Sequence, residues 1–151
     1  MIVRKATVAE IAGADNLSEL AAEYAAESLI DGMPAPATKW ETYRALEAAG
    51  ALHVFAAIAD DKLVGFISIL APEMPRYGVA VAVSESLFVL KAHRHTLAGL
   101  RLLKAAEDKA RELGSPVLLV SAPFEGKLFH MLPRAGYAEA SRIFFKRVAH
   151  G

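Results

Sequence analysis

The residues best suited to chemistry form a basic turn between an apolar segment and a long helix-forming segment. His93, Arg94 and His95 lie within Leu87–Gly114, after an apolar run and before a helical pattern. The first turn of a helix has backbone N–H groups without intrahelical partners and carries the positive end of the helix dipole. Such a turn can bind a phosphate-bearing ligand through backbone groups. A purely structural β–α crossover is the alternative, and no Gly-Lys-Ser/Thr phosphate loop follows.

Composition limits the other kinds of chemistry. The 151 residues include no cysteine, which excludes disulfides, thiolate nucleophiles and cysteine-ligated metals. Histidines and carboxylates show no metal-ligand spacing, so we predict no metal. The net charge of +0 predicts no nucleic-acid partner. Because the sequence has no signal-peptide pattern and no run long enough to cross a bilayer, we expect a cytoplasmic protein without a membrane partner.

The elements that must position the basic turn follow from the hydrophobic pattern. A strand at Ile2–Lys5 precedes a helix that runs from a capping box, Thr7–Glu10, to about Ser28. A second capping box, Thr38–Glu41, opens a helix that ends near Gly50. The later segments are predicted as strands His53–Ala59, Leu63–Leu70, Val79–Val89, Pro116–Ser121 and Ser141–Val148, with helices after the basic turn and at Lys127–Arg134.

This order, β-α-α-β-β-β-α-β-α-β, predicts one α/β domain over residues 1–151. Its central sheet is mixed and partly parallel and is flanked by helices. A regular strand would place Val81, Val83, Glu85, Leu87 and Val89 on one face. The helix after the turn would bury Leu100, Leu103, Ala106, Ala110 and Leu113. Helical spacing predicts core positions for Trp40, Tyr43 and Leu46.

The element order and the turn resemble the GNAT acyltransferase superfamily over essentially the whole chain, and the irregular turn and the Glu27-Ser28 pair resemble its small phage-type members. The family motif is a hydrophobic-x-Val segment, four residues, then Arg/Gln-x-x-Gly-x-Gly/Ala. Leu87-Phe88-Val89 supplies the first part, Arg94 and Gly99 match the second, and Leu97 replaces the first glycine. The resemblance implies acetyl-CoA as cofactor. The backbone of Leu87, Phe88 and Val89 would hold its pantetheine arm, and its pyrophosphate would lie at Arg94, His95, Thr96, Leu97, Ala98, Gly99 and Leu100.

The resemblance also implies catalytic residues. In this family a primary amine attacks the thioester directly, so the protein must accept an ammonium proton and stabilise the departing thiolate. Glu85 lies where some members place a carboxylate base, and an exposed strand residue or ion-pair partner is the alternative. Leu132 occupies the position of the usual tyrosine acid, and Glu125 that of a frequent asparagine. His130 is therefore the candidate acid, or else a surface or structural histidine.

The acceptor would be a primary amine on a small molecule or a peptide. Glu27, Ser28 and Asp31, at the end of the first helical segment, are the candidate acceptor-binding residues, with a solvated helix end as the alternative. We therefore expect an N-acyltransferase that moves an acetyl group from acetyl-CoA. A catalytically silent CoA-binding module that acts through a protein partner, favoured by Leu97 and Leu132, and a small-molecule sensor are the alternatives. The edge of the last strand, Arg142–Val148, could support a homodimer.

Overall fold

A five-stranded sheet lies at the centre of the computed structural model, which describes residues 1–123 and 126–149. Its spatial order is β1-β2-β3-β6-β7. The strands are β1 (Ile2–Ala6), β2 (Leu52–Ala59), β3 (Lys62–Leu70), β6 (Ala82–Val89) and β7 (Leu118–Leu119), while β4 (Glu73–Met74) and β5 (Val79–Ala80) form a separate ribbon. Only the β6–β7 pair in this sheet is parallel. The predicted mixed, partly parallel sheet is confirmed.

Helices cover both faces of the sheet. They are α1 (Val8–Ala12), α2 (Leu17–Ser28), α3 (Trp40–Ala48), α4 (Ala98–Glu112) and α5 (Lys127–Arg134). The ring of Tyr24 in α2 stacks on Phe66 of β3, whereas the preceding residue, Gly65, faces Leu102 of α4. Because neighbouring residues in a strand point to opposite faces, α2 and α4 lie on opposite sides. In the described residues, no helix is both long and apolar enough to span a bilayer.

Gly65 sets the distance between α4 and the sheet. A Cβ atom at this position would lie 2.9 Å from the Phe88 carbonyl oxygen, 3.1 Å from Val89 Cγ2 and 3.3 Å from Leu102 Cδ1. These contacts are tighter than packed side chains accept, so glycine permits the close approach of three elements here. Phe88 and Val89 end the strand that leads into the basic turn, so this packing fixes where the turn begins.

One of the two predicted capping boxes forms. Glu10 N–H donates to Thr7 Oγ1 over 3.1 Å, and Thr7 N–H donates to Glu10 Oε1 over 3.3 Å. The helix that follows is interrupted between Ala12 and Leu17, so the single predicted helix is two. The second predicted capping box, Thr38–Glu41, is wrong. The helix α3 begins at Trp40 and its N-cap residue is Lys39, so Thr38 precedes the cap and no side chain caps this helix end.

The regular strand predicted at Val79–Val89 is also wrong, because β6 contains a β-bulge. Ser68 of β3 pairs with Ser86, and the next residue, Ile69, pairs with Ser84, so Glu85 is the extra residue. A bulge reverses the alternation of side chains beyond it. Glu85 therefore shares a face with Ser86, towards α2 and α3, rather than with Leu87 and Val89.

The predicted buried face of α4 is wrong at Leu100, and Leu113 is only half-buried. Leu102 is fully buried together with Ala98, Leu103, Ala106 and Ala110, whereas Leu100 is 42% exposed. The helix begins at Ala98, and the i, i+4 series from that residue passes through Leu102 and Ala106. Leu100 lies at the margin of this face, close to solvent at the basic turn.

The two last predicted strands differ most from the structure. The segment Pro116–Ser121 contains only the two-residue strand β7, and Leu119 is exposed rather than buried. No strand forms at Ser141–Val148. Its apolar residues Ile143, Phe144 and Phe145 are consecutive, so they do not form one apolar face of a strand. The short β7 also offers little edge for pairing.

Candidate active site

The strand β6 has an open edge next to the bulge. Its parallel pairing with β7 covers only Ala82 and Val83, while on its other side β3 pairs with it as far as Val89. In the part of the chain that the structure describes, no strand pairs with the β7-side edge of Leu87–Val89. An extended ligand can add to such an edge as a further strand would. One group is already used, because Arg94 Nε donates to the Val89 carbonyl over 2.8 Å.

The basic turn presents a row of backbone donors at the start of α4. Thr96 Oγ1 donates to the His93 carbonyl over 2.6 Å and accepts from Ala98 N–H over 3.2 Å. The N–H groups of His95, Leu97, Gly99 and Leu100 have no partner within residues 1–123 and 126–149. Leu97 has φ −83° and is 54% exposed, so no positive φ is required where the family motif has glycine. These donors and the helix dipole fit a pyrophosphate.

Arg94 and Glu27 form a salt bridge between the turn and α2. Arg94 Nη1 and Nη2 donate to the two carboxylate oxygens of Glu27 over 2.8 and 2.6 Å, and its guanidinium lies 5.3 Å from the centre of the Phe88 ring. The hydrogen bond from Arg94 lowers the pKa of Glu27. Lys91 Nζ is 3.8 Å from the same carboxylate. Glu27 is therefore a neutralised carboxylate that ties α2 to the turn.

The other candidate acceptor residues lie at the same end of α2. Ser28 is half-buried at the last helical position, and Asp31 is exposed in the loop that follows. Glu23 of the same helix accepts from Lys91 N–H over 3.0 Å. The end of α2 and the start of the basic turn therefore form one connected surface.

Glu85 lies in a cluster of hydroxyl groups beside the open edge. Tyr43 Oη of α3 donates to Glu85 Oε1, and Ser68 Oγ of β3 donates to Oε2, each over 2.7 Å. Tyr24 Oη is 3.0 Å from Ser86 Oγ. Burial, followed by the hydrogen bond with Glu85, raises the pKa of Tyr43 well above its usual range. The prediction that Tyr43 is only a core residue therefore misses its hydroxyl, which the helical spacing of Trp40, Tyr43 and Leu46 does not reveal.

Comparison with known proteins decides the family. The family model described as the acetyltransferase (GNAT) family matches residues 15–126, which include the cluster at Glu85, the open edge of β6 and all of α4. The chain belongs to the GNAT acetyltransferase family. A search of curated proteins gives no match.

Solved acetyltransferase structures share this fold over nearly their whole length. The ribosomal-protein-alanine N-acetyltransferase from Brucella melitensis biovar Abortus 2308 has a TM-score of 0.70 at 20% identity, covering 97% of this chain and 98% of that one. The aminoglycoside acetyltransferase meta-AAC0020 from an uncultured soil metagenomic sample, in complex with sisomicin, has a TM-score of 0.73 at 17% identity, covering 99% and 96%. AAC(6')-Iy in complex with the bisubstrate analog CoA-S-monomethyl-acetylneamine has a TM-score of 0.73 at 18% identity, and the match covers 99% of this chain and 98% of that one.

The final helix of this GNAT domain lacks the expected hydroxyl. Leu132 is buried in the core, and His130 is exposed on α5 with its ring edge-on to Phe129 at 5.3 Å. Glu125 lies outside the described residues. Within residues 1–123 and 126–149, no hydrogen bond or ion pair joins His130 to Glu85, so the structure does not bring the two candidate catalytic residues together.

Two cavities of this GNAT domain lie away from the turn. A cavity of about 150 Å³ lies between β1, α1 and the β2–β3 hairpin, and a shallower one of about 440 Å³ lies between β1 and α4. Neither is lined by residues of the turn or by Glu85. Among the described residues no cluster of histidines and carboxylates could hold a metal ion.

Proposed function

We propose that this protein is an N-acetyltransferase that moves the acetyl group of acetyl-CoA directly to a primary amine. The observation that carries the proposal is the bulge in β6. Because of the bulge, the Glu85 carboxylate lies beside an open strand edge, and its partners among the described residues are two hydroxyl groups. The same strand leads into the row of unpaired N–H groups at the start of α4. The proposed base, the open edge for the pantetheine arm and the proposed anion site therefore follow one another from β6 to the start of α4.

The residues of the turn fit coenzyme A. The open edge of Leu87, Phe88 and Val89 suits the pantetheine arm, and the N–H groups of His95, Leu97, Gly99 and Leu100 suit the pyrophosphate. Arg94, Thr96 and Ala98 shape this turn through their own hydrogen bonds. When bound, acetyl-CoA supplies an activated acetyl thioester that a neutral amine can attack.

Glu85 is the proposed base for the acceptor. An ammonium group must lose a proton before its nitrogen can attack, and a carboxylate can accept that proton directly or through one water. The new bond joins the amine nitrogen and the acetyl carbon as the carbon–sulfur bond breaks. His130 is the proposed donor of a proton to the sulfur, because the next residue on α5, Met131, packs beside Gly99 at the start of α4.

The proposed acceptor is an amine of a small molecule or a peptide that enters beside the end of α2. Glu27, Ser28 and Asp31 lie there, although Glu27 acts mainly through its bond with Arg94. Two of the structural neighbours are complexes with sisomicin and with an acetylneamine analog, which favours a polycationic small molecule as a first trial. Asp31 is the exposed carboxylate that would attract such a ligand.

A catalytically silent CoA-binding module is the second proposal. It is favoured by Leu132, whose buried side chain offers no hydroxyl where the family acid is expected. Titration calorimetry with acetyl-CoA and with desulfo-CoA tests binding, and both proposals expect it. Release of free thiol from acetyl-CoA, measured with and without a panel of amines, separates them. Amine-dependent release supports the transferase; binding without such release supports the silent module; no binding at millimolar acetyl-CoA contradicts both.

We further propose that the chain acts as one domain and forms a homodimer through its C-terminal segment. Ile143 and Phe144 are 84% and 89% exposed, and Val148 is equally open. Large apolar side chains grouped in this way are typical of surfaces that bind another protein. A cytoplasmic location stays a prediction from the sequence.

A further inference from the structure

Three elements that are distant in sequence meet at the carboxylate of Glu85. Tyr43 comes from α3, Ser68 from β3 and Glu85 from the bulge in β6, and both bonds to the carboxylate are 2.7 Å long. Each carboxylate oxygen therefore accepts from one hydroxyl. Two bonds from two directions fix the plane of a carboxylate far better than a single partner would.

The partners of Glu85 carry no charge. Glu10 and Glu27 pair with Arg4 and Arg94, whereas no cation contacts Glu85 among the residues that the structure describes. A neutral donor orients a carboxylate without cancelling its charge. Among these residues no cation offsets the carboxylate of Glu85, while its two hydrogen bonds still orient it for a cationic acceptor.

Hydroxyl partners also suit both protonation states of the carboxyl. An ionised carboxylate needs donors, and a protonated one needs one acceptor for its new O–H. The hydroxyls of Tyr43 and Ser68 can serve as either by rotating, which an arginine could not do. Because burial and Glu85 raise the pKa of Tyr43, its hydroxyl keeps its own proton at neutral pH and acts as a partner rather than as a second base.

We propose that Tyr43 and Ser68 are positioning residues that hold the Glu85 carboxylate towards the acceptor amine through both of its protonation states. This inference rests on the proposed function, because it assigns a task to residues around the proposed base. The proton passes from the ammonium to Glu85, and no other covalent bond in the protein changes. Tyr43 and Ser68 act through Glu85 and need not touch either substrate.

A double-mutant cycle tests the inference. The variants are Tyr43→Phe, Ser68→Ala, Glu85→Gln and the combinations of Tyr43→Phe and of Ser68→Ala with Glu85→Gln. Each is assayed by amine-dependent thiol release from acetyl-CoA. The amines are kanamycin, spermidine and an alanine-initiated peptide. Tyr43→Phe should lower kcat about tenfold, as expected for the loss of one hydrogen bond to a charged group, with KM for acetyl-CoA unchanged. In the Glu85→Gln background it should lower kcat no further.

Tyr137→Phe is a matched control for the loss of a tyrosine–glutamate bond. Tyr137 Oη donates to Glu107 Oε1 over the same 2.7 Å, on the opposite side of the sheet, and burial again raises the tyrosine pKa. Tyr137→Phe should lower the thermal unfolding midpoint about as much as Tyr43→Phe does and keep the wild-type kcat. Each variant is first checked for folding by its thermal unfolding midpoint.

Different results would overturn the positioning role of Tyr43 and Ser68 and the transferase proposal itself. A kcat loss from Tyr43→Phe that persists in the Glu85→Gln background, or an equal loss from Tyr137→Phe, would show a structural effect and overturn the positioning role. An unfolded Tyr43→Phe leaves Ser68→Ala to carry the same cycle with Glu85→Gln. Wild-type protein that binds acetyl-CoA but releases no thiol with any amine overturns the transferase proposal and the inference together.

Discussion

At the scale of single residues, the partners of a carboxylate separate structural roles from chemical ones. Glu27 accepts two bonds from Arg94, and Glu85 accepts two bonds from neutral hydroxyls. The first carboxylate is neutralised and joins α2 to the basic turn. The second has no cationic partner among the described residues and lies beside the open edge of β6, where the proposed mechanism needs a proton acceptor.

Replacement of Glu85 by glutamine tests this distinction directly. Glu85→Gln keeps the size of the side chain but cannot accept the acceptor's proton, so kcat should fall about 100-fold, the lower end of general-base contributions. The affinity for acetyl-CoA, measured by calorimetry, should stay within twofold. Glu10→Gln, which removes an exposed carboxylate that pairs with Arg4, is the control and should keep kcat. An unchanged rate in Glu85→Gln would make Glu85 structural.

The salt bridge between Glu27 and Arg94 predicts a dependence of stability on pH. Arg94 lowers the pKa of Glu27 in the folded state, whereas the unfolded chain has the ordinary value of 4.5. The unfolded state therefore binds more protons below that value, and the stability contributed by Glu27 is lost as pH falls through its folded pKa. Urea unfolding at neutral pH and at several values below 4.5 should show a smaller acid-induced loss in Glu27→Gln than in the wild type. Parallel curves would contradict a depressed pKa.

At the scale of elements, the sequence predicts what local patterns control. The capping box at Thr7, the β2–β3 hairpin and the bounds of α5 follow from neighbouring residues, and the structure has them. The bulge at Glu85 does not, because it arises from the register between two strands that are paired across a long loop. Tyr43 and Ser68 reach Glu85 only through that register. The site could therefore be placed on β6 from sequence, but its hydroxyl partners could not.

Substitutions at Gly99 test whether the basic turn binds the pyrophosphate of acetyl-CoA. A Cβ at Gly99 would lie 3.9 Å from Met131, which is ordinary contact, so Gly99→Ala should fold normally. Gly99→Glu adds a negative side chain at the proposed pyrophosphate site and should abolish binding of acetyl-CoA through charge repulsion. Thermal unfolding with and without acetyl-CoA tests both variants. Acetyl-CoA should raise the unfolding midpoint of Gly99→Ala and leave that of Gly99→Glu unchanged, because only a bound ligand stabilises the folded state. Equal shifts would remove the anion site from this turn.

At the scale of the whole molecule, the two faces of the sheet have different tasks. The face that carries α4 and α5 holds the apolar packing around Gly65 and Leu102 and ends at the proposed pyrophosphate site. The face that carries α2 and α3 holds the hydroxyl cluster at Glu85. The bulge in β6 turns Glu85 towards the face that carries α2 and α3, while the same strand leads into the start of α4. The proposed site therefore depends on this bulge.

Among the described residues, the C-terminal segment carries the most exposed large apolar side chains. Phe145 packs near Gly32, where an added Cβ would lie 3.1 Å from its ring, so the segment is attached to the loop after α2. Ile143 and Phe144 point away from the chain and are almost fully exposed. A second copy that covers these side chains would remove apolar surface from water at roughly 25 cal/mol per Å².

Sedimentation velocity of the wild type should therefore show a dimer, and Phe144→Asp should shift it to monomer. Tyr77→Asp changes an aromatic residue that is also well exposed, but on the turn between β4 and β5, and should leave the dimer intact. Because Phe144 is exposed in the single chain, its replacement should not change the thermal midpoint of the monomer. A wild type that sediments as a monomer at every concentration would mean that the C-terminal segment binds no second copy.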